Sequence, residues 1–208
     1  MQKRFALKDL LLPYVVTVVV IFIIQDATFF FFFAYLALVS LVFLIGHRIK
    51  DINVCFLAII AIMPVLYENI IFTSGLISLD STDDNRLLQN SIIFGAHLVK
   101  ELLILVPLTY RVELTKKLFP KHKIRYTFAD SILPWLCIIT AAMSFFALIE
   151  NYFRNAKGYD ITFFFYAFEI TGYLNYSAVC GILVVLAFLT YRDAYDFRQP
   201  SLKSPSRK

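Results

Sequence analysis

Residues 27–46 run for twenty positions without a charged side chain, and positions 29–33 are five consecutive phenylalanines. A helix of that length measures about 30 Å, the thickness of a bilayer's hydrocarbon core. Five other apolar runs accompany it, so the full set is residues 10–25, 27–46, 52–79, 87–110, 131–149 and 161–191. Lipid cannot satisfy exposed backbone, so each run has to close its own hydrogen bonds as a helix. The runs are continuous rather than alternating, which excludes a membrane β-barrel. The expected fold is all-α: a polytopic integral membrane protein built as a bundle of six transmembrane helices. Composition agrees, with 60% hydrophobic and 17% charged residues, against about 25% charged in a soluble domain.

The first run is the shortest, and as a helix it spans only about 24 Å. Lys8 can snorkel at its inner end, and Pro13 is expected in the first turn, where a missing N–H costs little. We read it as a span; a re-entrant hairpin over residues 10–46, leaving four full spans, is the alternative. No small-x-small cleavage site follows it before the next run begins, so it does not read as a cleaved leader.

Lysine and arginine set the orientation. Sixteen of the twenty fall in one set of alternate connections, from Lys3, Arg4 and Lys8 through the 111–125 segment to Arg207 and Lys208. Arg86, Arg154 and Lys157 make up the opposite set, and Lys100 lies within a run. Both termini are therefore expected in the cytoplasm, with Asp26, Asp80, Asp83 and Asp84 outside. Topology accounts for the net charge of +5, and no nucleic-acid partner is implied. Residues 1–197 form a single transmembrane domain in this reading. Residues 198–208 read as a disordered basic cytoplasmic tail.

The longest inner connection places Val112, Leu114, Leu118 and Phe119, with Thr115 among them, on one side of a helical wheel and Glu113, Lys116 and Lys117 on the other. The fourth helix is expected to continue as an interfacial turn or two that Pro120 stops. Lys116, Lys117, Lys121, Lys123 and Arg125 are candidates for contact with anionic headgroups or a partner. Three small-x-x-x-small pairs, Ser74/Ser78, Ser91/Gly95 and Ser177/Gly181, mark close helix approach, the first two between the third and fourth helices.

Ionisable groups inside a bilayer are costly and point to function. The candidate cluster is Glu68, Asn69, Asn90, His97, Lys100, Glu101, Glu169 and Tyr173. Asn90, His97 and Glu101 share a helix face through steps of seven and four. Glu169, Tyr173, Tyr176 and Cys180 form another. Lys100, a lone ammonium among three carboxylates, is expected to pair with Glu68 or Glu169. The Cys55 and Glu68-Asn69 pattern returns as Cys137 and Glu150-Asn151, an echo best read as coincidence. Cys55, Cys137 and Cys180 read as buried fillers.

No phosphate-binding loop, nucleophile elbow or zinc motif is present. His97 and Glu101 alone make a poor metal site. No catalytic residue, metal or cofactor is assigned. The leading functional reading is a non-enzymatic accessory or partner-binding subunit of a bacterial cytoplasmic membrane, contacting lipid, another membrane subunit or a second copy of itself. The competing class is a small ion- or proton-coupled transporter or channel protomer using Glu68, Glu101, Glu169, Lys100 and His97. An intramembrane enzyme comes third.

Overall fold

The computed structural model describes residues 7–23, 28–77 and 85–196. Asp26, Ser78, Asp80, Asp83, Asp84 and the 198–208 tail lie outside these residues. All regular structure among them is helical. The elements are α1 (Leu7–Ile23), α2 (Thr28–Ile49), α3 (Ile52–Glu68) with a π-helical turn (Asn69–Thr73), α4 (Arg86–Thr109), α5 (Arg111–Leu118), α6 (Phe128–Lys157) and α7 (Phe163–Asp196).

Five helices, α2, α3 with its π turn, α4, α6 and α7, are long and apolar enough to cross a membrane. The molecule wears its apolar residues outside: Leu12, Ile23, Phe33 and Trp135 are each about two-thirds exposed. Water would not tolerate such a coat, and a bilayer requires it. The fold is that of a helical, multi-pass membrane protein.

The core follows the helical period. Phe31, Tyr35, Val39 and Val42 of α2 recur every three or four residues and are fully buried or nearly so. They meet Val54, Leu57, Ala58 and Val65 of α3, with Cys180 and Leu183 of α7 in the same core. The Tyr35 hydroxyl donates to the Ala61 carbonyl (2.6 Å), tying α2 to α3. Between these helices Lys50 takes a left-handed φ of 59°. Asp51 then caps α3 by accepting from the Asn53 (2.8 Å) and Val54 (3.4 Å) backbone N–H groups.

Helix α4 packs most extensively on α6, not on α3 as the small-residue spacing suggested. Ser91 faces α6, where its Oγ accepts from Asn151 Nδ2 (2.9 Å), whereas Gly95 faces open space. The Ser177/Gly181 pair does mark a close approach. A Cβ added at Gly181 would come within 2.7 Å of the Tyr14 ring, so glycine there lets α1 lie against α7. Helix α1 begins at Leu7, so Pro13 is its seventh residue, beyond the first turn expected for it.

The expected fifth run was too short at both ends. Helix α6 starts at Phe128 behind a capping box in which Thr127 and Asp130 satisfy each other's backbone N–H groups. It continues through Glu150 and Asn151 to Gly158, whose φ of 75° ends it in a left-handed cap. Glu150 then accepts from the Phe164 (2.7 Å) and Phe165 (2.8 Å) N–H groups and caps the start of α7. The Glu-Asn echo therefore has no common role: one glutamate caps a helix, the other binds a lysine.

The interfacial extension is a short helix of its own, α5. Tyr110 breaks the chain after Pro107, and α5 turns inward Arg111 and Thr115, both fully buried, while Leu118 is 60% exposed. The reason is the polar end of the bundle. Arg111 Nε donates to Asp130 Oδ1 (2.6 Å), Nη2 pairs with Asp130 Oδ2, Nη1 donates to Asn53 Oδ1 (2.9 Å), and Nη2 donates to the Arg125 carbonyl (2.7 Å). This network joins the starts of α3 and α6 to the start of α5. Arg125 adds an ion pair with Asp51 (3.0 Å) and a contact to Thr190 Oγ1 (3.4 Å) near the end of α7.

Candidate functional site

The site begins with where α3 stops being an α-helix. Pro64 interrupts its ladder, and from Asn69 the backbone widens into a π turn, a feature that often re-aims side chains at functional sites. Glu68, the last α-helical residue, points toward α4 and α7. Its Oε1 lies 2.6 Å from Lys100 Nζ, accepts from the Tyr176 hydroxyl (2.9 Å), and stands 3.5 Å from His97 Nδ1. The Tyr67 hydroxyl, donating to the Ala96 carbonyl (3.2 Å), holds α3 and α4 together one residue earlier.

Lys100 is the centre. Its ammonium also lies 3.1 Å from Glu101 Oε1 and 5.4 Å from the centroid of the Tyr176 ring. Lys100 and Glu101 are both buried, at 4% and 6% exposure. The expected choice of partner is thereby resolved: Lys100 binds Glu68, and Glu101 joins from the next position on the same helix. Glu169 is not its partner.

These groups sit in the wall of a cavity of about 350 Å³. Helices α4 and α7 flank it, Thr140 and Ser144 of α6 form part of its wall, and Phe32 of α2 closes another side. Of the eight residues of the expected cluster, Glu68, Asn90, His97, Lys100, Glu101, Glu169 and Tyr173 line it. Asn90, His97 and Glu101 of α4 thus border the same space as Glu169, Tyr173 and Tyr176 of α7. Asn69 does not line it. It is exposed and its side chain turns back to the Val65 carbonyl (3.4 Å), because a residue next to Glu68 projects about 100° away from it. Cys180 also leaves the α7 face for the core, where it is fully buried.

Aromatic rings bridge α4 and α7 over this space. Phe94 meets Phe165 (6.1 Å between centroids) and Phe168 (5.2 Å), and His97 meets Phe168 (5.1 Å) and stacks on Phe72 (5.3 Å). Beyond Glu101 and Tyr176, which line both spaces, lies a second void of about 30 Å³, enough for about one water. Asn175 and Cys137 line it, and Asn175 Oδ1 is a buried acceptor with no hydrogen-bond partner among the described residues.

Sequence reasoning missed two features here. Tyr176 was placed on the right face but not in the cluster, although its hydroxyl and ring touch both Glu68 and Lys100. Arg111 was counted as a loop cation. Its signal was available: Asp130 and Asn53 also fall at inner run ends, where a buried arginine needs such partners. Lys116, Lys117, Lys121 and Lys123 are exposed, as a headgroup- or partner-facing patch requires; Arg125 is half spent on Asp51. Among the described residues no group of three or more metal-ligating side chains assembles. Comparisons with family models, curated proteins and solved structures found no match.

Proposed function

We propose that this chain is a proton- or cation-coupled membrane transport protein whose six helices, α1 included, cross a bacterial cytoplasmic membrane with both termini inside. The observation that carries the reading is Lys100 held between Glu68 and Glu101 in the wall of a cavity. Two carboxylates share one ammonium there, and the exposed Glu169 adds a third acid to the lining. An uncompensated buried charge costs several kcal/mol, on the order of 3–5 when a pair is broken. A proton or a bound cation restores the balance, and its arrival and departure is the elementary event of coupled transport.

The orientation is supported by how the ends assemble. Asp51, Asn53, Arg111, Arg125, Asp130 and Thr190 are joined by hydrogen bonds, so the lysine- and arginine-rich connections share one end of the bundle. Arg86, Arg154 and Lys157 belong to helix ends at the other.

The accessory-subunit reading loses one support, since Glu68, Lys100 and Glu101 find their partners within this chain. The exposed Lys116, Lys117, Lys121 and Lys123 still favour it as a second reading. Purified protein in liposomes carrying an internal pH dye separates the two. Proton or monovalent-cation flux that disappears in Glu68→Gln supports transport. No flux, together with a stoichiometric membrane partner retained through purification, supports the accessory role and defeats transport.

A further inference from the structure

The chemistry of the cavity wall is selective. Six aromatic rings line it: Phe32, Phe94, Phe165, Phe168, Tyr173 and Tyr176. The ionisable groups are three carboxylates, one ammonium and a histidine. Lys100 is already engaged by Glu68 and Glu101 at 2.6 and 3.1 Å, so it has little to offer an incoming anion. Glu169 is the remaining carboxylate, and it stands on the same face of α7 as Phe165, Tyr173 and Tyr176, at steps of four and seven. An anion entering here would meet an excess of negative charge. A neutral apolar molecule would leave that charge unanswered. A cation finds both a carboxylate and ring faces, whose quadrupoles attract positive charge by roughly 0.5–2 kcal/mol each.

The wall also holds a working example of that recognition. Lys100 is an ammonium kept by two carboxylates and lies 5.4 Å from the Tyr176 centroid. The space beside it, about 350 Å³, falls in the range of sites that enclose small organic ligands, roughly 300–1,000 Å³. Gly172 borders that space, and a Cβ placed on it would meet no atom within 4 Å.

We propose that the cavity between α4 and α7 binds a lipophilic organic monocation, an amine or quaternary ammonium carrying aromatic or alkyl groups. Its positive centre sits at Glu169 and its apolar part lies among Phe94, Phe165, Phe168 and Tyr173. This assignment names the ligand class of the site and rests on the transport reading for its physiological use, but binding is testable without flux.

Benzyltrimethylammonium and benzenesulfonate serve as probes of similar size and opposite charge, titrated calorimetrically into full-length protein in nanodiscs. Saturable binding of the ammonium, at one per chain, and none of the sulfonate is expected. Gly172→Phe should abolish binding by filling the cavity. Glu169→Gln should weaken it at least about tenfold, as loss of one charge-assisted contact implies. Gly172 borders open space and Glu169 is exposed, so both variants should keep the parent's melting temperature. Sulfonate binding, or no ammonium binding by the parent, overturns the assignment. So does ammonium binding indifferent to either substitution, since the ligand is then not held by both the cavity and its acid. Ammonium binding without flux in the liposome assay leaves the ligand class standing and defeats transport. Proton flux lost in Glu68→Gln, without ammonium binding, does the reverse.

Discussion

Arg111 offers the sharpest test of how the bundle is held at its lysine- and arginine-rich end. Its guanidinium is fully buried and makes four contacts: two with Asp130, one with Asn53 Oδ1 and one with the Arg125 carbonyl. Arg111→Met keeps much of the volume and removes the charge. Asp130 then retains only its hydrogen bonds from Thr127 N (2.6 Å) and Oγ1 (2.7 Å), Asn53 Oδ1 retains the Arg125 N–H (3.1 Å), and the Arg125 carbonyl loses the guanidinium. Breaking one side of a buried pair costs about 3–5 kcal/mol. For a chain of this size that corresponds to a fall in melting midpoint of at least about 6 °C. Adding Asp130→Asn removes the stranded charge while an amide oxygen can still accept from Thr127. The double variant should therefore recover part of the loss, with a coupling of up to about 3 kcal/mol. Arg111→Lys should fall between parent and Met, because one ammonium cannot reproduce the planar fork. The assay is thermal unfolding of purified protein in one mild detergent, followed by intrinsic fluorescence. An Arg111→Met protein melting within 2 °C of the parent would refute the reasoning, as would a double variant less stable than the single one.

The same logic applies inside the membrane. Lys100→Ala strands two carboxylates and should sharply reduce accumulation in membranes by quantitative immunoblot, whereas Lys100→Ala with Glu68→Ala should restore a measurable part; equal loss in both would defeat the pairing. Gly181→Leu drives a side chain into the Tyr14 ring and should cost about 1–3 kcal/mol, read as a lowered melting midpoint that Tyr14→Ala partly reverses.

How much of this was legible beforehand varies from residue to residue. The apolar runs located five long helices and the shorter α1, since a segment that must be a helix in lipid announces itself by length. The faces of α4 and α7 were legible because a helix repeats every 3.6 residues, which brought Asn90, His97, Glu101, Glu169 and Tyr173 to one cavity. Asn69 was lost because adjacency in sequence is not adjacency on a helix. On α5 hydrophobicity alone ranks Leu118 above Arg111 for burial, and that order reverses where a carboxylate, an amide and a carbonyl surround the guanidinium. Glu150 and Asn151 fell outside the expected fifth run because a charged residue ends an apolar window even where the helix continues.

Helix α1 finds its neighbour chiefly in α7, and Gly181 is the notch into which Tyr14 fits. During synthesis the first hydrophobic segment thus emerges more than a hundred residues before the surface that will receive it. Until α7 follows, α1 has only a slight contact with α2 to rest on. The α1–α7 contact is thus a clasp between segments far apart in the chain, and a ribosome that stops short of Gly181 releases a chain whose α1 lacks its main docking surface.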